Sequence, residues 1–242
     1  MRLKGALRMA FSREQRVGEI VAAFPGASNL FKKHGIDFCC GGNRSLADAL
    51  GQKAVPEDSF LADLQAAYEA QQLRQEAGAT DWRAVSYSEL IDQVVGVHHQ
   101  YLKDELPVIS AFTTKIFHVH GPRHPELAEL YRQFHAFKLE LDMHLLDEES
   151  RVFPLIRAYE QSGAAADREA ALACLEELES EHQAAGDLLF AMRETTKGYA
   201  LPPDACRTYT LTFQKLQELE SDMFNHVHLE NNILFPRLRA VK

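Results

Sequence analysis

Two segments of the chain spell one pattern twice. HLLDEESRVFPLI runs from His144 to Ile156 and HVHLENNILFPRL from His226 to Leu238. Each reads His-x-x-x-Glu, and each reaches Phe-Pro nine and ten residues after the histidine. On a helix, positions i and i+4 share a face about 6 Å apart along the axis. His144 and Glu148 therefore present an imidazole and a carboxylate to one point, as do His226 and Glu230. Together these groups are ligands for transition metals. Facing outward, the same pairs would be ordinary solvated i,i+4 contacts, so the elements that carry them decide between the two.

Both pairs interrupt an apolar stripe at helical spacing: Phe137, Leu141, His144, Glu148, Val152, Leu155 on one helix and Leu216, Leu219, Met223, His226, Glu230, Ile233 on another. A carboxylate on a buried stripe costs several kcal/mol unless it is paired or metal-bound. The same search over two further periodic stretches finds His99 on the stripe Ile91, Val95, His99, Leu102, Leu106, Ile109, with His98 off that face. It finds His182 on the stripe Leu175, Leu178, His182, Ala185, Leu189, Met192. A single inward histidine would be read as a core residue. One on each of four helices, two with a carboxylate one turn away, point to cations.

Four histidines and two glutamates exceed the four ligands of a closed zinc site. Imidazole with bridging carboxylate inside a bundle is the chemistry of paired iron or manganese. The doubled motif then builds two like half-sites, each with open positions for a small ligand. Pro154 and Pro236 each remove a helical hydrogen bond and are expected to bend or end the helix just past the site. A ferritin-like alternative rests on Glu179-x-x-His182 and lacks a second copy of that spacing.

The helices that must position these groups span about 86–118, 124–159, 166–197 and 203–238. The breaks HGPRHP, QSGAA and KGYALPP separate them, and connections this short favour antiparallel neighbours. The expected fold is all-α: an up-down-up-down four-helix bundle over 84–242, preceded by a small helical domain over 1–78 with EAGATDW as linker. No apolar run approaches the ~20 residues of a membrane helix. With 35 acidic against 26 basic residues and a net charge of −9, a general nucleic-acid surface is not expected. No secretory signal is legible in MRLKGALRMAFSREQ, and four unevenly placed cysteines suit a reducing compartment, so a cytoplasmic location is expected.

Cys39 and Cys40 stand between GID and GGN, upstream of the SLADAL helix with Ser45 as its N-cap. Adjacent cysteines close a strained ring when oxidised, so a structural bridge is not expected. Near a helix N-terminus their thiol pKa would fall, making them nucleophiles or metal ligands. Gly41 and Gly42 would allow close approach of a partner. Cys174 and Cys206 read as packing residues.

The HLLDEE…FP and HVHLENNILFP segments resemble the hemerythrin-like domain. GIDFCCGGNRSLADA resembles the small N-terminal domain of the di-iron iron–sulfur cluster repair family. The resemblance covers nearly the whole chain. It implies two non-haem irons with oxo and carboxylate bridges, held by His99, His144, Glu148, His182, His226 and Glu230. A further family histidine matches His120, which this resemblance makes an accessory ligand or channel residue. Oxygen-carrying hemerythrins have an additional His-x-x-x-His pair that is missing from these segments, so the irons here are expected to be less protected. The implied function is repair of clusters damaged by nitrosative or oxidative stress, with Cys39 and Cys40 handling iron, sulfur or nitric oxide. Damaged iron–sulfur proteins, nitric oxide and dioxygen are the implied partners, and a homodimer the implied assembly. Reduction of nitric oxide at the same centre is a second activity compatible with open coordination positions. The alternative from another class is a hemerythrin-like sensor or store of dioxygen, nitric oxide or iron, for which the cysteines would be dispensable.

Overall fold

The structure is a computed structural model and describes residues 11–74 and 80–240. Most of the expected linker lies outside these residues. The chain divides into two compact units, Met1–Arg83 and Ala84–Lys242.

In the first unit, α1 (Val17–Ala23), α2 (Ala27–Lys33), α3 (Leu46–Gln52) and α4 (Glu57–Arg74) enclose a core that includes Val17, Ile20, Phe31, Phe38, Leu46 and Phe60. Ser45 caps α3, its hydroxyl accepting from the Asp48 N–H at 3.1 Å. Among the described residues the only strand-like feature is an isolated bridge between Arg16 and Ser45.

The second unit is the four-helix bundle. Its first helix is α5 (Tyr87–Gln93) and α6 (Gln100–His120), joined by a π-helical turn at Val94–His99. The second is α7 (Glu126–Asp147) and α8 (Phe153–Ser162), joined by a π-turn at Glu148–Val152. The third is the unbroken α9 (Ala165–Thr195). The fourth is α10 (Arg207–Leu229) and α11 (Phe235–Ala240), joined by a π-turn at Glu230–Leu234. α6 packs on α7 and α10, while α9 packs on α7, α8 and α11, which is the antiparallel order expected. Ser86 opens the bundle with a capping box to Glu89, and Glu160 of α8 accepts from the Tyr87 and Ser88 N–H groups at 2.6 and 2.9 Å. Gly163, at φ +64°, closes α8 in the left-handed region. No described helix is long and apolar enough to cross a membrane.

The prolines act differently from expectation. Pro154 and Pro236 lie in the first turn of α8 and α11, where a missing N–H costs least, and the π-turn just before each absorbs the change in the ladder. The helical path continues past both. The extra residue also shifts the inward register. Val94 is buried where the stripe predicts Val95, and Ile156 where it predicts Leu155, whereas every stripe residue of unbroken α9 is buried.

Candidate metal centre

All six residues singled out on the bundle helices converge. His99, Glu148, His226 and Glu230 have no solvent exposure, and His182 and His144 have 1% and 5%. The π-turns place them: His99 ends one, while Glu148 and Glu230 begin the other two. Such turns recur where a helix must aim a side chain.

Their ligating atoms fall into two groups of four, His99–Glu148–His226–Glu230 and His144–Glu148–His182–Glu230, each within 4.8 Å of one another. Every imidazole enters through Nε2. Glu148 turns Oε2 to His99 at 3.3 Å and Oε1 to His144 at 3.4 Å. Glu230 turns Oε1 to His226 and Oε2 to His182, both at 3.2 Å. Each carboxylate thus gives one oxygen to each group.

The outer face of the centre fixes the tautomers. The Nδ1 atoms of His99, His144 and His182 lie 2.7, 2.7 and 2.8 Å from Glu149 Oε1, Glu181 Oε2 and Asn231 Oδ1. These oxygens accept, so Nδ1 carries the proton and Nε2 is left with a bare lone pair. Lys103 holds Glu149 from behind at 2.7 and 2.8 Å. The lone pairs then confront one another at His144 and His182, whose Nε2 atoms are 2.9 Å apart, while His99 Nε2 points at His226 Nε2 at 3.1 Å. Neither oxygen of Glu148 nor Oε2 of Glu230 forms an aligned hydrogen bond. Converging lone pairs and buried, unsatisfied carboxylate oxygens fit a site for metal cations.

The electrostatics agree. Burial, then the facing Glu230, holds the Glu148 carboxyl well above its ordinary range. Burial alone would raise Glu230 too, but His226 and His182 pull it well below. Desolvation, with repulsion from the facing imidazole, lowers His99 to about 4 and His144 to about 2. Both imidazoles are therefore neutral near pH 7 and ready to ligate.

His98, expected off the inward face, is buried. Its Nδ1 is 2.8 Å from Asp222 Oδ1 and its ring stacks on His226 at 5.6 Å between centroids, because the π-turn carries it round with His99. A cavity of about 410 Å³, lined by Leu139, Met143, Ala185 and Met223, reaches His144 and His182. Glu179 pairs with Arg239 at 2.6 Å and is no part of the centre. His120 ends α6, 21 residues beyond His99 and so about 31 Å along the helix. That distance excludes it as an accessory ligand.

The stripe pattern does not single out Glu149, Glu181 or Asn231. Each directly follows or precedes a ligand in the chain, a position about 100° round the helix that looks sideways at the neighbouring helix. That adjacency is the signal that could find them.

In the first unit, Asp37, Cys39 and Cys40 form a third group with ligating atoms within 4.8 Å. Asp37 accepts from the N–H groups of Cys39 and Gly41 at 2.9 and 2.8 Å and from the Cys39 thiol at 3.1 Å, and the two sulfurs stand 3.9 Å apart. The expected lowering of the thiol pKa is reversed at Cys39. Burial, then Cys40 and Asp37, raise it well above its ordinary value, and α3 begins only at Leu46, where the Leu46, Ala47 and Asp48 N–H groups donate to the Gln15 and Arg13 carbonyls and the Ser45 hydroxyl. A Cβ on Gly41 would stand 2.2 Å from the Arg44 guanidinium, so this glycine admits a residue of its own chain. Arg44 in turn donates to the carbonyls of Gly41 and Asp37 at 3.1 and 3.2 Å.

Residues 90–238 match the hemerythrin HHE cation-binding domain, and residues 13–68 match ScdA_N, a domain of unknown function (DUF542). The chain is 33% identical over 228 residues to the iron–sulfur cluster repair protein YtfE of Escherichia coli O81, covering 94% of this chain and 98% of that one. It is 32% identical over the same span to YtfE of Citrobacter koseri, with the same coverage. With both regions matched and this identity spread along almost its whole length, the chain belongs to the iron–sulfur cluster repair family of YtfE.

Proposed function

We propose that the chain is a di-iron protein that repairs iron–sulfur clusters damaged by nitrosative or oxidative stress, by giving up iron to them. The observation that carries this reading is the sharing of Glu148 and Glu230 between two His-His pockets. His99, His226, Glu148 and Glu230 would hold one iron, and His144, His182, Glu148 and Glu230 the other. Four protein donors per ion leave open positions, which is what a centre that exchanges metal or binds a small ligand requires. Bound there, ferrous iron supplies both the transferable ion and the electrons for redox chemistry.

The remaining residues orient and neutralise. Glu149, Glu181 and Asn231 hold the imidazoles by Nδ1, and Lys103 offsets the charge of Glu149. Glu181→Gln and Glu149→Gln are each expected to weaken iron binding by roughly 10- to 100-fold, measured by competition with a chelator. Unchanged affinity would remove the tautomer argument.

Cys39 and Cys40, with Asp37, are proposed as the group that receives iron or docks the damaged protein. Burial holds the Cys39 thiol well above its ordinary pKa, and it becomes a ligand when an incoming cation displaces its proton. The test loads the chain with iron and mixes it with a protein whose cluster has been destroyed by nitric oxide, in the presence of reductant. Iron should leave the chain as cluster absorbance returns, and Cys39→Ala/Cys40→Ala should slow that return without changing iron content. A chain that keeps its iron throughout, with or without the cysteines, would be a sensor or store instead. The cavity at His144 and His182 favours a second activity at the same centre, reduction of two nitric oxide molecules by two electrons and two protons to nitrous oxide and water. A homodimer and a cytoplasmic location belong to the same reading; that Cys39, Cys40, Cys174 and Cys206 form no disulfide supports the latter.

A further inference from the structure

A second set of metal-ligating side chains gathers where α6 ends and α10 begins. His120, the last residue of α6, is buried at 4% exposure. Its Nε2 lies 3.2 Å from Cys206 Sγ, and its Nδ1 makes no hydrogen bond. His124 follows one turn later and sets Nε2 2.9 Å from Asp204 Oδ1. Ligating atoms of His120, His124 and Asp204 lie within 4.8 Å of one another. Both imidazoles stand edge-on to Tyr209, at 5.3 and 5.9 Å between centroids, which fixes their planes. Cys206 is the N-cap residue of α10, with an exposed side chain.

We propose that His120, His124, Asp204 and Cys206 form a mononuclear site for a divalent transition ion of the zinc type, separate from the di-iron centre. Two imidazoles, one carboxylate and one thiolate are a four-donor set of the composition that zinc takes in tetrahedral sites. Bonds of about 2.0–2.1 Å at tetrahedral angles separate N and O donors by about 3.4 Å. The ion therefore enters by opening the His124–Asp204 contact by about half an ångström. Sγ of Cys206 closes the fourth position by rotation about its exposed Cα–Cβ bond, and the thiol proton passes to solvent as the S–metal bond forms.

A plain ion pair accounts for His124 and Asp204 but not for their neighbour. It leaves His120 with a buried ring nitrogen unsatisfied and a thiol against the other, a combination that native interiors rarely tolerate. The surroundings also suit an ion. Glu126 Oε1, 3.4 Å from His124 Nδ1, lies on the far side of that imidazole, and Arg123 takes Asp204 Oδ2 at 3.4 Å, leaving Oδ1 for the site. The two anionic donors match the charge of a divalent ion. Bound, the ion would tie the 121–125 turn to the start of α10, about 31 Å along α6 from His99.

Cobalt(II) is the probe, since it replaces zinc and reports a thiolate ligand by charge-transfer absorption. Titration of full-length Cys39→Ala/Cys40→Ala, which removes the thiols of the first unit and is the background for the substitutions that follow, should produce that band, saturating at one ion per chain, and zinc should abolish it. Cys206→Ser should remove the band, and His124→Ala and Asp204→Asn, both at partly exposed positions, should weaken cobalt binding by at least roughly tenfold. The band should survive in His144→Ala/His226→Ala, which disables the di-iron pockets, so the two sites are read independently. Absence of the band, its persistence in Cys206→Ser, or unchanged affinity in His124→Ala and Asp204→Asn would each overturn the proposal.

Discussion

Glu148→Ala should empty both of the proposed iron positions, whereas His144→Ala should empty one. The difference follows from the geometry. Glu148 gives Oε2 to the His99 group and Oε1 to the His144 group, so its loss removes a ligand from each. It also leaves Glu230 to neutralise two divalent ions alone. His144 serves a single group, and its removal leaves His99, His226 and both carboxylates in place. Direct ligands should matter at least as much as the residues that orient them, so the loss in affinity is at least about 100-fold per affected ion. Metal analysis after gel filtration should fall from two irons per chain to almost none for Glu148→Ala, and to one for His144→Ala. Equal losses in the two variants would mean that the carboxylate is not shared.

The second large effect concerns stability. Without iron, the centre of the bundle holds confronting imidazole lone pairs and a carboxyl that burial forces to stay protonated. A group of this kind costs stability, and replacing it by a well-packed apolar residue is often neutral or stabilising by about 1–4 kcal/mol. Glu148→Leu should therefore raise the melting temperature of the iron-free bundle by a few degrees. Iron binds only the folded arrangement, and at a thousandfold excess over Kd that linkage is worth about 4 kcal/mol. For a unit of this size it corresponds to about 8–16 °C in Tm. Stripping iron from the wild-type chain should lower Tm by that amount, and Glu148→Leu should abolish the difference. An iron-free Glu148→Leu protein that melts well below the iron-free wild type would show that Glu148 contributes to packing independently of metal.

The six central residues are legible in the sequence because the helical period is a strong signal and because a charged residue on a buried stripe demands an explanation. α9 shows the period at its cleanest: all six residues of its predicted stripe are buried. The π-turns are not legible. One extra residue in a helix leaves no mark in composition, and it moves the inward face from Val95 to Val94 and from Leu155 to Ile156. For the same reason His98 reads as an outward residue. The environment of Cys39 is hidden too. Whether a thiol lies at a helix amide or beside a buried carboxylate depends on how the 37–44 segment folds back, and only the fold brings Asp37 to the sulfur. The grouping of His120 and His124 with Asp204 and Cys206 joins residues some 80 positions apart through a turn, where no periodicity operates.

The widened turns at 94–99, 148–152 and 230–234 lie level with the carboxylates, on three of the four helices. Each interrupts the regular i→i−4 ladder with a wider hydrogen-bonded ring, a rare arrangement that occurs mostly as a single turn. α9 has no such turn and contributes only His182. The cage is thus built with three interrupted staves and one unbroken post. On the proposed reading, an occupant would leave past the staves while the post keeps the barrel standing, ready to be filled again.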